Sequence, residues 1–310
     1  MRTVFIGTSA FAAAVLERLS RSEHRPALVL TRPDRPRGRG RKLAAPPVAE
    51  AAGRLGIALA QPAKVNEPPA RELIARADPE AVIVCAFGAL ICEPLLSEQE
   101  LLNVHPSLLP RWRGAAPVER AIMAGNERTG VSIMCLTAGL DSGPVCLAES
   151  VAIEPTDTYG SLAERLQTLG GELIVRVLDL TARGEPPAFA EQDESGATYA
   201  EKIAPADRLL DPALGAVELE RTVRALHPHI GARLELEDGT LLGVHAARVA
   251  DRTEGDGSGD GPPAGTLARD GERLLYGTGD GVLELLCVQP PGGRAMDAGS
   301  YLRGHGLPED

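Results

Sequence analysis

Apolar positions over residues 1–183 fall into two patterns that alternate along the chain. Short continuous runs read as strands buried on both faces, and runs with apolar residues three and four apart read as helices with one buried stripe. The strands predicted in this way are Thr3–Gly7, Pro26–Thr31, Ile57–Ala60, Ala81–Phe87, Leu101–His105, Thr129–Thr137 and Val145–Ile153. Between them lie a helix over Phe11–Ser20, striped by Ala12, Val15, Leu16 and Leu19, and helices over Pro47–Leu55, Glu67–Ala77, Pro117–Ala124, Tyr159–Leu169 and Glu172–Ala182, with Gly170-Gly171 separating the last pair. Such alternation implies an α/β domain with a mostly parallel sheet flanked by helices.

The pattern changes after Arg183. Gly184-Glu185-Pro186-Pro187 and the polar Glu191–Gly196 read as an extended linker over 184–205. A helix at Leu214–Ala225 precedes strands at Arg233–Glu237, Leu241–Val249, Gly265–Arg269, Arg273–Gly277 and Gly281–Gln289, divided by turns such as Asp238-Gly239 and Asp280-Gly281. These predict a smaller, OB-like β-barrel domain over 206–310, with the Gly- and Asp-rich Asp251–Pro263 as a disordered excursion.

A length of 310 residues accommodates both domains. Cysteines 85, 92, 135, 146 and 287 form no C-x-x-C pair and read as small buried hydrophobes in a reducing compartment. The first residues run into Thr3–Gly7 without the basic region and apolar core expected of a signal peptide, and the apolar run Ala81–Cys92 is shorter than the roughly 20 residues that span a bilayer. The expectation is a cytoplasmic protein with no membrane partner. A net charge of −11 argues against nucleic acid in general. Against that background Arg32, Arg35, Arg37, Arg39, Arg41 and Lys42 crowd around a single Asp34, in a Pro- and Gly-rich stretch that reads as a mobile, irregular loop. It follows the Pro26–Thr31 strand, at the carboxyl end where α/β proteins place ligands; from charge alone it fits a solvated surface run equally well. Gly7-Thr8-Ser9 lacks the later glycines of a dinucleotide-binding turn, and His227 and His229 have no partner at metal-ligand spacing, so they read as structural or surface residues.

Candidate chemistry concentrates at Asn103 and His105. Two residues apart on a strand, they share one face. An amide donor can polarise a carbonyl while an imidazole takes or gives a proton near neutrality. Asp141, in the turn G-L-D-S-G, is the carboxylate expected to hold that imidazole in one tautomer. An isolated Asn-x-His also fits a turn with a satisfied histidine, so the wider string matters.

That string is N-V-H-P-S-L-L-P-R-W-R-G-A-A-P from Asn103, followed by G-L-D-S-G from Gly139. With P-D-R-P-R-G-R-G-R-K-L from Pro33, Phe87-Gly88 and T-Y-A-E-K from Thr198, it closely resembles the folate-dependent formyltransferase family. The resemblance implies a Rossmann-like formyltransferase domain linked to an OB-like barrel that binds tRNA. It implies formyl transfer from 10-formyltetrahydrofolate to the amino group of methionine-charged initiator tRNA by a monomer without a metal. Asn103, His105 and Asp141 would then be catalytic, Ser107, Leu108, Leu109 and Pro110 would contact the folate, Phe87 and Gly88 would border the pterin, and the loop from Arg32 to Lys42 would engage the acceptor arm. Taken alone, Phe87 equally fits core packing. Ser9-Ala10 stands where Pro-Asp is usual, Cys92 where proline is frequent, and His227-Pro228-His229 where Asn-Pro-Trp is frequent. Other members that formylate sugar nucleotides or glycinamide ribonucleotide, or hydrolyse formyl-folate, remain as alternatives, as does an idle RNA-binding module.

Overall fold

The computed structural model describes residues 1–37, 42–236, 238–250 and 261–305. Its central sheet has seven strands in the spatial order Val145–Ala152, Arg128–Cys135, Leu101–His105, Ala81–Cys85, Thr3–Gly7, Pro26–Leu30 and Ala58–Ala60. The last five run parallel, and the Arg128–Cys135 and Val145–Ala152 strands add an antiparallel edge. Every residue of Ala81–Cys85 and Leu101–His105 is buried, which explains their unbroken apolar runs. The parallel register sets Gly7 beside Cys85, Ile6 beside Leu30 and Val84 beside Asn103. The segments that follow Gly7, Leu30, Cys85 and His105 therefore leave the sheet along one edge.

Three expectations change. Tyr159–Ala182 is one continuous helix of 24 residues and not a broken pair. Gly170 and Gly171 permit close packing there: a Cβ on Gly170 would lie 2.8 Å from a Val104 methyl, and one on Gly171 2.8 Å from the Arg18 Cβ. The basic stretch is not irregular throughout, because Arg35–Arg37 pairs antiparallel with Lys42–Ala44 in a short hairpin. Nor is 184–205 a plain linker. Ala190 and Val145 exchange backbone hydrogen bonds, and Tyr199–Ala200 pairs in parallel with Arg113–Gly114.

The chain divides into two compact units, one of Met1–Pro117, Arg128–Ala152 and Ala163–Ala200, the other of Val118–Glu127, Ile153–Leu162 and Glu201–Asp310. In the second, an antiparallel sheet runs Ala232–Glu235, Leu241–Val249, Val282–Gln289, Arg273–Gly277, Leu267–Asp270, with Met296–Asp297 beside Val282–Gln289. Its core joins Leu219, Val223 and Leu226 of the helix Ala216–Leu226 to Leu242, Tyr276, Leu285 and Val288. The Met296–Asp297 strand and the Ala298–Gly304 helix were not expected; the strand is too short to show a period, and Asp297 caps the helix by accepting from the Ser300 N–H. Residues 251–260 of the expected excursion lie outside the described residues. Among the described residues no helix is long and apolar enough to cross a membrane.

Within this second unit, Glu284 has a side chain only 7% exposed and accepts hydrogen bonds from both Arg248 and Arg273 at 2.8–3.0 Å. Burial pushes its carboxyl up, but the two guanidinium groups together outweigh burial and hold it below the usual carboxylate range. A carboxylate depressed on folding stabilises the fold fully above its unfolded pKa, and the contribution fades as pH falls through the lowered value. Glu284→Gln should therefore cost about 2 kcal/mol at neutral pH, with the gap from wild type closing in acid; denaturant melts of both proteins across pH 2–7 provide the check.

Candidate active site

His105 ends its strand buried, 4% exposed, opposite Ser132. Its Nε2 lies 2.9 Å from the backbone oxygen of Trp112. A carbonyl can only accept, so Nε2 carries the proton and Nδ1 holds the lone pair of the neutral ring. That Nδ1 lies 3.6 Å from Asp141 Oδ2. The tautomer is thus held by a main-chain oxygen, and not by Asp141 as expected. Across 3.6 Å, neutral imidazole and carboxylate present lone pairs to each other, so Asp141 becomes a favourable partner only once Nδ1 gains a proton.

Both partners sit on unusual backbone. Trp112 has φ of 60° and Asp141 φ of 44°, in the left-handed region that L-residues disfavour. Trp112 is held by its N–H donating to Thr198 Oγ1 at 2.9 Å, and the next residue by the Arg113 N–H donating to the Thr198 carbonyl at 2.9 Å. Asp141 Oδ2 accepts from the Gly114 N–H at 2.8 Å. Gly114 itself, at φ 118°, approaches so closely that a Cβ would lie 2.8 Å from the Ala200 oxygen.

Asn103 shares the His105 face of the strand and is 7% exposed. Its side-chain amide makes no hydrogen bond to any described residue. The amide is thus nearly buried yet open at its polar atoms, and can donate to a ligand carbonyl without giving up a hydrogen bond within the described residues. The loop after His105 is pinned by Ser132, whose hydroxyl donates to the Ser107 oxygen at 2.8 Å and accepts from the Leu109 N–H at 3.1 Å. Ser107 is fully buried and donates its hydroxyl to the Arg111 oxygen at 2.6 Å, so it shapes the loop and offers a ligand no side chain. Leu108, Leu109 and Pro110 are half-buried and remain at the surface of that loop.

Phe87 lies with its ring in the apolar core beside Val84 and Ile91, while its backbone oxygen accepts from Thr8 Oγ1 at 2.8 Å. Only the exposed Gly88, at φ 70°, continues to the surface. Arg32 reaches it, donating to the Gly88 oxygen at 2.6 Å, so the root of the basic hairpin is fastened to this wall. Arg35 and Lys42 are exposed on the hairpin, which also carries Arg37; Arg39 and Arg41 lie outside the described residues. Burial pushes the Cys85 thiol far up and that of Cys146 to about 11, which leaves neither as a ready thiolate. His229 bonds Glu119 at 2.9 Å and stacks on Tyr159 at 3.6 Å between centroids, a structural role. Among the described residues no group of three His, Cys, Asp or Glu is placed to hold a metal.

Sequence reasoning missed the groups that hold these residues: the Trp112 oxygen, Thr198 and the Gly114 N–H. Their segments were visible as R-W-R-G and T-Y-A-E-K, but contacts to main-chain atoms leave no signature in residue type.

An amide without a partner among the described residues, an imidazole with one lone pair and a carboxylate facing that lone pair stand together at the edge of an α/β sheet, groups whose chemistry suits acyl-group transfer. Family comparison specifies the group. Residues 1–178 match the formyl transferase model and 202–306 the formyl transferase C-terminal domain, and the chain belongs to the formyl transferase family. Within that family, the methionyl-tRNA formyltransferase of Methylococcus capsulatus is 41% identical over 99% of this chain and 98% of its own length. That of Halorhodospira halophila is 41% identical over 99% and 97%. Among solved structures, HypX from Aquifex aeolicus in complex with tetrahydrofolic acid superposes with TM-score 0.67 at 18% identity, covering all of this chain and 48% of that one. Methionyl-tRNA formyltransferase from Clostridium thermocellum gives 0.56 at 13% identity, over 81% and 94%; at these identities both likenesses bear on fold alone.

If the Trp112 oxygen sets the ring, nitrogen NMR of neutral His105 should show the Nε2–H tautomer. A signal from protonated Nδ1 in the neutral ring would instead put Asp141 in charge of its orientation.

Proposed function

We propose that this enzyme transfers the formyl group of 10-formyltetrahydrofolate to the α-amino group of methionyl initiator tRNA, as a monomer in the cytosol. The observation that carries this reading is the unpartnered Asn103 amide beside a His105 whose free Nδ1 faces Asp141. The 41% full-length identity to methionyl-tRNA formyltransferases supports the choice of acceptor.

Asn103 donates from its amide to the formyl oxygen, where negative charge develops. His105 accepts at Nδ1 the proton that the amine loses as its bond to the formyl carbon forms. Asp141 stabilises the resulting imidazolium. His105 then returns the proton to the folate nitrogen as the bond from that nitrogen to the formyl carbon breaks, so no covalent enzyme intermediate is required. A protonated folate nitrogen is a fair leaving group, which removes the need for a metal. Leu108, Leu109, Pro110 and Gly88 line the folate wall, with Phe87 and Ser107 supporting it from behind. Arg35, Arg37, Arg39, Arg41 and Lys42 bind acceptor-arm phosphates, and Arg32 ties that hairpin to the folate wall. We assign catalysis to 1–183, connection to 184–205 and a second tRNA surface to 206–310.

Purified protein with formyl donor and charged initiator tRNA should yield formylmethionyl-tRNA. Donor hydrolysis without transfer, or transfer only to a sugar nucleotide or glycinamide ribonucleotide, would replace this reading with one of those activities. Asn103→Ala, His105→Ala and Asp141→Ala should each lower single-turnover rates by about a hundredfold or more while changing folate affinity less. Near-wild-type turnover in any of the three would remove that residue from the mechanism.

For the hairpin, joint replacement of Arg37, Arg39, Arg41 and Lys42 by Ala should raise the KM for tRNA and flatten its salt dependence, because each phosphate contact releases a counterion. Folate binding should hardly change. Parallel salt plots with equal tRNA affinity would return the hairpin to a solvated surface run.

A further inference from the structure

The stretch Ala190–Ala200 bonds both to Trp112, whose oxygen meets His105, and to the backbone of Asp141, and Gln192 is its most heavily committed side chain. Gln192 Nε2 donates to the Asp141 oxygen at 2.8 Å and to the Gly143 oxygen at 2.7 Å. Its Oε1 accepts from Arg113 Nε at 3.0 Å and Nη2 at 2.9 Å. Both donors and both lone pairs of one carboxamide are therefore used. Arg113 is only 2% exposed and is itself clamped in two-pronged fashion by Glu194, at 3.0 and 2.8 Å. The turn held this way is the one that carries Asp141 at φ 44°, a backbone setting that needs outside support. Among the described residues the Gly114 N–H is the one hydrogen bond to the Asp141 carboxylate, so its aim toward His105 depends on where that turn is held.

We propose that Gln192 is a positioning residue for formyl transfer: seated on Arg113, it holds the Gly139–Gly143 turn so that the Asp141 carboxylate faces His105 Nδ1. This rests on the catalytic roles assigned above to Asp141 and His105. Gln192 acts through Asp141 and touches no substrate, so its loss lowers kcat and spares the KM of both substrates.

Gln192→Glu is the sharpest variant, because it keeps an acceptor for Arg113 and turns a carboxylate toward two carbonyl oxygens in place of the two donors. In the full-length enzyme it should lower kcat by about tenfold or more, with each KM changed by less than about twofold. Asp141→Asn should lower kcat further still, and the double variant should be no slower than Asp141→Asn alone, since a turn without its carboxylate has nothing left to aim. Multiplicative losses in the double variant, a rise in KM matching the fall in kcat, or wild-type kcat in Gln192→Glu would overturn the proposal. Wild-type turnover in Asp141→Asn would instead overturn the catalytic reading beneath it, before any Gln192 variant is tested. Thermal melts report whether Gln192→Glu folds. Should it not, Gln192→Met, similar in shape but without the amide donors, must show the same loss confined to kcat, and wild-type kcat there would refute the role.

Discussion

A carbonyl oxygen has no proton to give, and at Trp112 this constraint organises the whole site. It settles which nitrogen of His105 is protonated, and so which one is left to work. Because the remaining nitrogen faces Asp141 at a distance too long for a direct bond, the carboxylate has little to hold in the resting state and much to stabilise once a proton arrives. The arrangement thus makes Asp141 a favourable neighbour of the ring only in the ring's charged form. Asn103 complements it as a donor that stays neutral throughout.

The parts of the protein that were legible in sequence are those fixed by hydrophobic period. Unbroken apolar runs gave the parallel strands, and a spacing of two put Asn103 and His105 on one face. What sequence could not display were contacts made by backbone atoms across long separations, such as Gln192 to the Asp141 oxygen, 51 positions away. Gly170-Gly171 misled for a different reason. Glycine marks breaks and close approaches alike, and only the neighbouring Val104 and Arg18 show that closeness is the reason for it here. In the basic stretch, three paired positions on each side were too few to stand out against proline and glycine.

Charge is distributed to match. An overall excess of acid disfavours polyanions in general, the basic hairpin stands out against it, and Arg32 at its root donates to the Gly88 oxygen. The root of the hairpin is thereby tied to Gly88, the residue after Phe87.

The late position of Thr198 and Gln192 has a consequence for how the enzyme comes into being. During synthesis, the strands bearing His105 and the Asp141 turn emerge well before the segment that fastens them, and at cellular elongation rates the 51 residues separating Asp141 from Gln192 take roughly 3–10 seconds to translate. A nascent chain can complete its sheet in that interval and still lack the contacts that hold Trp112 and the Asp141 turn. The fastening segment arrives last, so a fragment cut at residue 183 leaves out Gln192 and Thr198, and one that retains both must run at least to Thr198.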